Sequence, residues 1–336
     1  MVQFMYYNGA SILNNGCPIS FSVGNRSTGK SFFWKRYCIR NFIKKNEQFI
    51  YIRRNYVDIE ITNESFFDDI QKKFPGYKMT QRKNSYYLQK GDEEPVKCGY
   101  FYALTEVKKL KSMVLDRVNT IFFDEFLPDD NKYLNKLDPS YEPKLIFSIY
   151  LTVARGYKTP IREEVKFVAV SNNISLFNPY FSFFKLDLTK KNRVTENYVY
   201  AELTYNKEIA ELIENTKIGQ IMKGTSYGDM AIGNKMLFNY DRHVCKMPKK
   251  TRLFCMLYCY EWFMVFTDEQ NFYIKDGYSS TCKRKFRIIG DVEEDMPLYK
   301  GDIVKLFKKQ YINDRIFYTS QAVKSRLAGF LEIEGG

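Results

Sequence analysis

Apolar residues in this chain gather into short dense runs in its first half and into strand-length runs close together in its last third. The runs at Pro18–Val23, Gln48–Arg53, Val118–Phe123 and Val165–Val170 have the length and composition of strands buried on both faces. Helical periodicity separates them, from Lys30 to about Lys44 and from Ile61 to Phe74. Two extended segments, around Tyr77–Gln89 and Val96–Leu104, flank the charged turn Lys90–Pro95 and predict a hairpin insertion. Strands alternating with helices predict an α/β domain, a mostly parallel sheet with helices on both faces. Ligands of such sheets bind at the C-terminal ends of the strands.

Beyond Asn197 the texture changes. A helical stretch from Lys207 to Met222 leads into the turn-rich Lys223–Gly228, and then strands follow one another: Leu253–Tyr258, Glu261–Thr267, Asn271–Lys275 and Lys285–Ile289. Two helical patterns near Gly301–Tyr311 and Ser320–Leu331 close the chain. The expected organisation is a first domain over 1–196, a linker over 197–227 and a smaller α+β domain over 228–336.

Composition narrows the chemistry. The 336 residues carry a formal net charge of +13, which favours a polyanionic partner because phosphate contacts by Lys and Arg release condensed counterions. No apolar run is long enough to span a bilayer and no cleavable signal begins at Met1, so a cytosolic setting without a membrane is expected. The seven Cys form no CxxC pair, and Cys255 and Cys259 read as buried strand residues. A single histidine, His243, argues against a His-based triad or a multi-His metal site.

Between the first strand and the first long helix stands Gly24-Asn25-Arg26-Ser27-Thr28-Gly29-Lys30-Ser31. This is the P-loop pattern in the context its mechanism needs: backbone N–H groups turn inward around phosphates at a helix N-terminus. Lys30 is expected on the β and γ phosphates of ATP and the Ser31 hydroxyl on Mg²⁺. The strand Val118–Phe123 runs into Asp124, a second Mg²⁺ position, and Glu125, placed to polarise the attacking water. Ser171 and Asn172 end the fourth strand, either sensing the γ-phosphate or forming an Asx-type turn. Arg155, between a helical stretch and Gly156, is a candidate arginine finger, with Arg162 the runner-up and Lys111 a further cation for a neighbour's nucleotide or for DNA.

Together these residues resemble the DNA-packaging ATPases of small protein-primed tailed phages. The likeness rests on Gly24–Ser31, Glu47–Arg54, Phe123–Phe126, Ser171–Asn172 with Asn178–Phe181, and Gly224–Met230. It implies a P-loop NTPase of the ASCE branch, working as a homo-oligomeric ring, a pentamer, around double-stranded DNA with ATP at subunit interfaces and Arg155 as finger. It further implies prohead RNA and the portal as partners, docking on a prohead in the host cytoplasm, and an RNase H-like, vestigial nuclease C-terminal domain. One departure is a longer loop between Arg155 and Arg162. The strand Leu253–Tyr258 carries no acid, and Asp268 and Asp276 fall at predicted turns, so no DNA cutting is expected. Lys246, Lys249, Lys250, Arg252, Lys283, Arg284, Lys285 and Arg287 suit contact with an RNA or DNA backbone. The alternatives are a ring helicase, a nuclease-competent terminase large subunit, and a nucleotide-switched assembly protein without turnover, against which Glu125 argues.

Overall fold

A computed structural model describes residues 6–129, 132–135, 138, 140–156, 160–237, 243–289 and 296–332, with the side chains of 60–64, 112, 325, 328–330 and 332 outside that description. Met1, residues 157–159 of the loop between Arg155 and Arg162, and the chain's last four residues therefore lie outside the described residues. The strands are β1 Ile19–Gly24, β2 Gln48–Arg53, β3 Tyr77–Arg82, β4 Ser85–Lys90, β5 Val96–Ala103, β6 Val118–Asp124, β7 Lys166–Asn172, β8 Arg193–Glu196, β9 Val199–Thr204, β10 Arg252–Cys259, β11 Trp262–Thr267, β12 Phe272–Asp276, β13 Lys285–Ile289 and β14 Ile316–Tyr318. The helices are α1 Ala10–Asn14, α2 Lys30–Lys45, α3 Tyr56–Ser65, α4 Tyr141–Val153, α5 Pro179–Phe183, α6 Lys207–Glu214, α7 Lys217–Met222, α8 Ser226–Ala231, α9 Asp302–Ile312 and α10 Gln321–Glu332.

The chain divides into two units: Met1–Leu134 with Glu142–Leu176 and Phe183–Phe238, and Asn135–Tyr141 with Phe177–Ser182 and Asn239–Gly336. In the first, nine strands run in the order β3-β4-β5-β2-β6-β7-β1-β9-β8. The six central strands, β5 to β9 in that order, are parallel, and the antiparallel β3, β4 and β8 form the edges. β1 is buried at every position, and β2 and β6 nearly so, as strands inside a parallel sheet must be. α2 begins just after Gly29, whose φ of 87° turns the chain into the helix, and ends at Asn46, where φ 59° and an N–H bond to the Phe42 carbonyl make a left-handed cap. Its buried face, Trp34, Cys38, Ile39 and Phe42, joins a core with Phe49, Tyr51, Phe66, Tyr86 and Phe122.

Three expectations need correction. The helix expected over Ile61–Phe74 lies earlier, at α3, where the Asn55 N–H bonds the Asp58 carboxylate at 3.4 Å and starts the first turn. It stops at Ser65 because Phe66 and Phe67 both turn into the core, and only a short 3-10 turn, Gln71–Lys73, follows. The segment Tyr77–Gln89 is a hairpin, since Lys83 adopts φ 53° between β3 and β4. The boundary at 196/197 falls inside the first unit, because β9 pairs with β1 along its whole length, Ile19 to Gly24 against Val199 to Thr204. Residues 197–227 are thus sheet and capped helices; Asn206, Thr216 and Thr225 cap α6, α7 and α8 through their side chains.

The second unit is a five-stranded sheet in the order β13-β10-β11-β12-β14, with β10, β11 and β12 an antiparallel meander and β13 and β14 added in parallel. One face packs Cys255, Leu257, Phe263, Val265 and Ile274 against Phe307 of α9 and Leu327 of α10. Every cysteine is free, and Cys255 and Cys259 are buried as expected. No helix among the described residues is long and apolar enough to cross a membrane.

Phe66 is fully buried between the rings of Phe49 and Tyr86, at centroid distances of 5.6 and 4.9 Å. Phe66→Ala should cost the first unit about 3–5 kcal/mol through lost burial and the cavity left behind, read by urea unfolding.

Candidate nucleotide-binding site

The C-terminal ends of β1, β6 and β7 are adjacent in register, Gly24 beside Asn172 and Asp124 beside Val170. From β1 the chain enters a loop that reverses sharply, with Ser27 at φ 62° and Gly29 at φ 87°. A Cβ on Gly24 would run into the Thr204 backbone and hydroxyl of β9, so only glycine fits there. The Asn25 side chain, fully buried, donates to the Asn206 carbonyl at 3.4 Å and accepts from the Asn206 N–H at 3.1 Å, fixing the loop to the N-cap of α6.

The Lys30 ammonium curls into this loop and donates to the Gly24 carbonyl at 3.0 Å, the Asn25 carbonyl at 2.9 Å and the Thr28 hydroxyl at 3.2 Å. Burial draws its pKa down to about 7, against the pull of Asp124 and Glu202 in the other direction. Glu202, buried on β9, accepts from the hydroxyls of Tyr7 at 3.0 Å, Tyr200 at 3.1 Å and Ser11. The Tyr7 N–H bonds the Thr28 carbonyl at 3.0 Å, so the segment before α1 braces the loop from outside.

Ser31 donates its hydroxyl to Asp124 at 2.6 Å, and Tyr51 donates to the other carboxylate oxygen at 3.2 Å. Arg53, ending β2, bridges the two acids: 3.6 Å to Asp124 and 2.6 Å to Glu125. Burial works against the Arg53 charge, but Tyr51, Asp124 and Glu125 outweigh it and hold its pKa above the ordinary value. Glu125 has φ 55°, and burial raises its carboxyl pKa in spite of Arg53. Just beyond, Arg54 is buried in contact with Glu142 and the Phe126 carbonyl, which anchors the turn that carries Glu125. Ser171 exchanges hydrogen bonds of 3.3 Å with the Leu127 backbone and is occupied in structure. The Asn172 side chain makes no hydrogen bond among the described residues and stands half-buried beside the loop.

The structure thus brings Gly24 to Ser31, Asp124, Glu125 and Asn172 to one end of the sheet. Arg155 is elsewhere. Its guanidinium is exposed and donates to the Lys111 carbonyl at 2.9 Å. Its neighbour Arg162 reaches the carbonyls of Leu115, Asp116, Val118 and Val153 at 2.7–3.1 Å, together with the Asn119 side chain at 2.9 Å. These acceptors mark the opposite end of β6, about 20 Å from Asp124 at the usual rise per residue. Arg162, so occupied, ties the loop to the sheet, and Arg155 presents its charge outward. Arg26, exposed on the P-loop, contacts the Tyr227 hydroxyl and ring on α8.

Sequence reading missed Arg53 as a site residue. A cation ending a buried strand next to the strand that carries Asp124 and Glu125 was the available signal. It also missed Glu202 and Asn206, whose roles depend on β9 pairing with β1, a long-range contact no local pattern announces. In the second unit, Lys246, Lys249, Lys250, Arg252, Lys283 and Arg284 are exposed, while Lys285 lies over the rings of Trp262 and Tyr278. Glu261 and Asp276 converge, but on Arg326, at 2.5 and 3.5 Å. Asp268 accepts from its own turn, including the Asn271 N–H at 2.7 Å and the Tyr273 hydroxyl at 2.8 Å.

A family model described as podovirus DNA encapsidation protein (Gp16) matches residues 1–323. The DNA packaging protein of Bacillus phage phi29 is 31% identical over 202 residues, which is 59% of this chain and 56% of that protein. The chain therefore spans little more than half the length of that curated relative. The DNA packaging protein of Bacillus phage B103 is 28% identical over 300 residues, 87% of each. Among solved structures, the N-terminal domain of the DNA packaging ATPase from bacteriophage phi29 is similar at 29% identity and a TM-score of 0.50, covering 59% of this chain and 96% of that one. The bacteriophage Phi-29 viral genome packaging motor assembly shares the fold at a TM-score of 0.70 and 24% identity, over 95% of this chain and 96% of that one.

A Lys30 pKa of about 7 makes polyphosphate binding proton-linked. Phosphate oxygens favour the ammonium, so above pH 7 binding must draw a proton onto Lys30, and affinity should fall as pH rises toward 9. Calorimetry in buffers of differing ionisation enthalpy should report net proton uptake at pH 8; no uptake would contradict the buried, partly neutral Lys30.

Proposed function

The chain belongs to the podovirus DNA encapsidation protein (Gp16) family, and on that premise we propose that it is an ATP-hydrolysing motor that translocates double-stranded DNA into a phage prohead. The observation that carries this reading is the convergence of Lys30, the Ser31–Asp124 pair and Glu125 at the C-terminal ends of parallel strands. Lys30 and the inward N–H groups of the loop bind the β and γ phosphates of ATP. The residues fit Mg²⁺: Ser31 and Asp124 set a hydroxyl and a carboxylate oxygen 2.6 Å apart and would hold the ion, which would supply charge neutralisation for the phosphates. Glu125 is the general base that orients water, and its raised pKa suits a proton acceptor. Arg53 holds it back by 2.6 Å ion pairing, so hydrolysis requires that pair to loosen. Asn172, beside Gly24, reads the γ-phosphate.

Arg155 completes the site of a neighbouring subunit. At the far end of β6 it cannot serve its own phosphates, and its exposure suits insertion into another copy. That arrangement calls for a closed ring with ATP at subunit interfaces, a pentamer by family resemblance, docked on the portal and prohead RNA in the host cytoplasm. The exposed cations of the second unit serve nucleic-acid backbone contact. We read that unit as nuclease-like in descent and without cutting activity. Arg326 sits between Glu261 and Asp276, where a carboxylate pair would otherwise attract a metal ion.

ATPase activity should rise when duplex DNA and proheads are added together. Lys30→Ala should lose ATP binding, whereas Glu125→Gln should bind ATP with parental affinity and hydrolyse it about 10²-fold or more slowly, the usual worth of a general base. Parental turnover by Glu125→Gln would refute the assignment.

A further inference from the structure

A carboxylate buried beneath a loop that binds polyphosphate works against its ligand, and Glu202 is such a group. It is 1% exposed on β9, opposite Ser22 and two residues before Thr204, the neighbour of Gly24. Its hydrogen-bond partners are three hydroxyls, Tyr7 on one oxygen at 3.0 Å, with Tyr200 at 3.1 Å and Ser11 on the other. An ionised carboxylate takes all three without a donor of its own to place, which a side-chain amide does not. Two of the three, Tyr7 and Ser11, belong to the segment that leads into and begins α1.

That segment holds the phosphate loop by its backbone. The Tyr7 N–H bonds the Thr28 carbonyl at 3.0 Å, and the Tyr7 ring meets Phe33 of α2 edge-on at 5.7 Å. At Gly9 the chain passes so close to Phe33 that a Cβ there would strike its ring. The Thr28–Gly29 peptide is planar and trans, so fixing its carbonyl toward Tyr7 points the Gly29 N–H the other way. This N–H has no acceptor among the described residues, and it stands at the N-terminus of α2, where phosphate oxygens accept. The Thr28 hydroxyl accepts from Lys30 at 3.2 Å, so the same residue also seats the lysine. We propose that Glu202 is a positioning residue for phosphate binding: through Tyr7 it fixes the Thr28–Gly29 peptide with its N–H toward the ligand. An ionised acceptor suits that task because hydrogen bonds to it are about twice as strong as neutral ones. The proposal rests on the loop being an ATP site and adds what sets one of its phosphate donors.

The test is the calorimetric affinity of the full chain for a non-hydrolysable ATP analogue, with steady-state ATPase kinetics beside it. Tyr7→Phe removes one hydroxyl and leaves the main-chain N–H in place. It should weaken analogue binding about tenfold and raise KM for ATP by a like factor while moving kcat far less, as when a phosphate hydrogen bond common to ground and transition states is weakened. Glu202→Gln should do the same, and the two combined should bind no worse than either alone, because they cut one link. Tyr200→Phe takes a hydrogen bond of the same kind from the same carboxylate without touching the loop, and should bind the analogue with parental affinity. Equal weakening by Tyr200→Phe would make Glu202 a purely structural acid and overturn the proposal. Parental affinity of Tyr7→Phe, or additive losses in the combined variant, would overturn it as well. If Glu202→Gln does not fold, as melting temperature would show, the comparison of Tyr7→Phe with Tyr200→Phe decides. The two readings fail separately: a parental chain that binds no analogue sinks the ATP site itself, whereas a parental chain that binds it no better than Tyr7→Phe sinks only the positioning role.

Discussion

The chemistry of the first unit depends on one constraint, a lysine ammonium enclosed by oxygens that carry no full charge. Lys30 is 6% exposed and its three hydrogen-bond partners are two carbonyls and a hydroxyl. Burial of a cation on such partners is unfavourable, which is why its pKa falls. An anion entering the loop would relieve that imbalance. Strand order makes the enclosure possible: β7 and β9 flank β1, and glycine at position 24 lets β9 approach.

From that point two sets of contacts lead outward. One runs through Ser31, Asp124 and Arg53 to Glu125, so that one guanidinium pairs with both carboxylates. Any anion or cation entering the site changes the balance of charges around Arg53 and with it the hold on Glu125. The other runs through Asn25 and Arg26 to α6 and α8. The acid pair beside Ser31 and the outer helices therefore share the P-loop as a common element.

Much of this was legible in the sequence because it is local. Strand, glycine-rich turn and helix around Lys30 are contiguous, and the apolar run ending in Asp124–Glu125 announces its burial and sets two carboxylates at a strand end. The hairpin at Lys83 and the early end of α3 were not legible, since the first depends on one residue entering the left-handed region and the second on Phe66 and Phe67 being claimed by the core. β9 falls in the expected linker because the texture of the chain changes beyond Asn197, and its Glu202 finds its partners Tyr7, Ser11 and Tyr200 only in the folded chain. Arg155 and Arg162 both follow α4 and both donate to backbone carbonyls, and only coordinates show that Arg162 is half-buried on four of them while Arg155 stays exposed on those of Thr152 and Lys111.

The claim that a ring is needed because each copy completes its neighbour's site is tested most directly by mixing. Glu125→Gln and Arg155→Ala should each be inactive alone while retaining ATP binding. In mixed assemblies some interfaces combine an intact Glu125 with an intact Arg155 from the adjacent copy, and ATPase activity should return in part, greatest near equal proportions. If mixed assemblies form and no activity returns at any ratio, Arg155 does not act in trans and the account of the shared site is wrong.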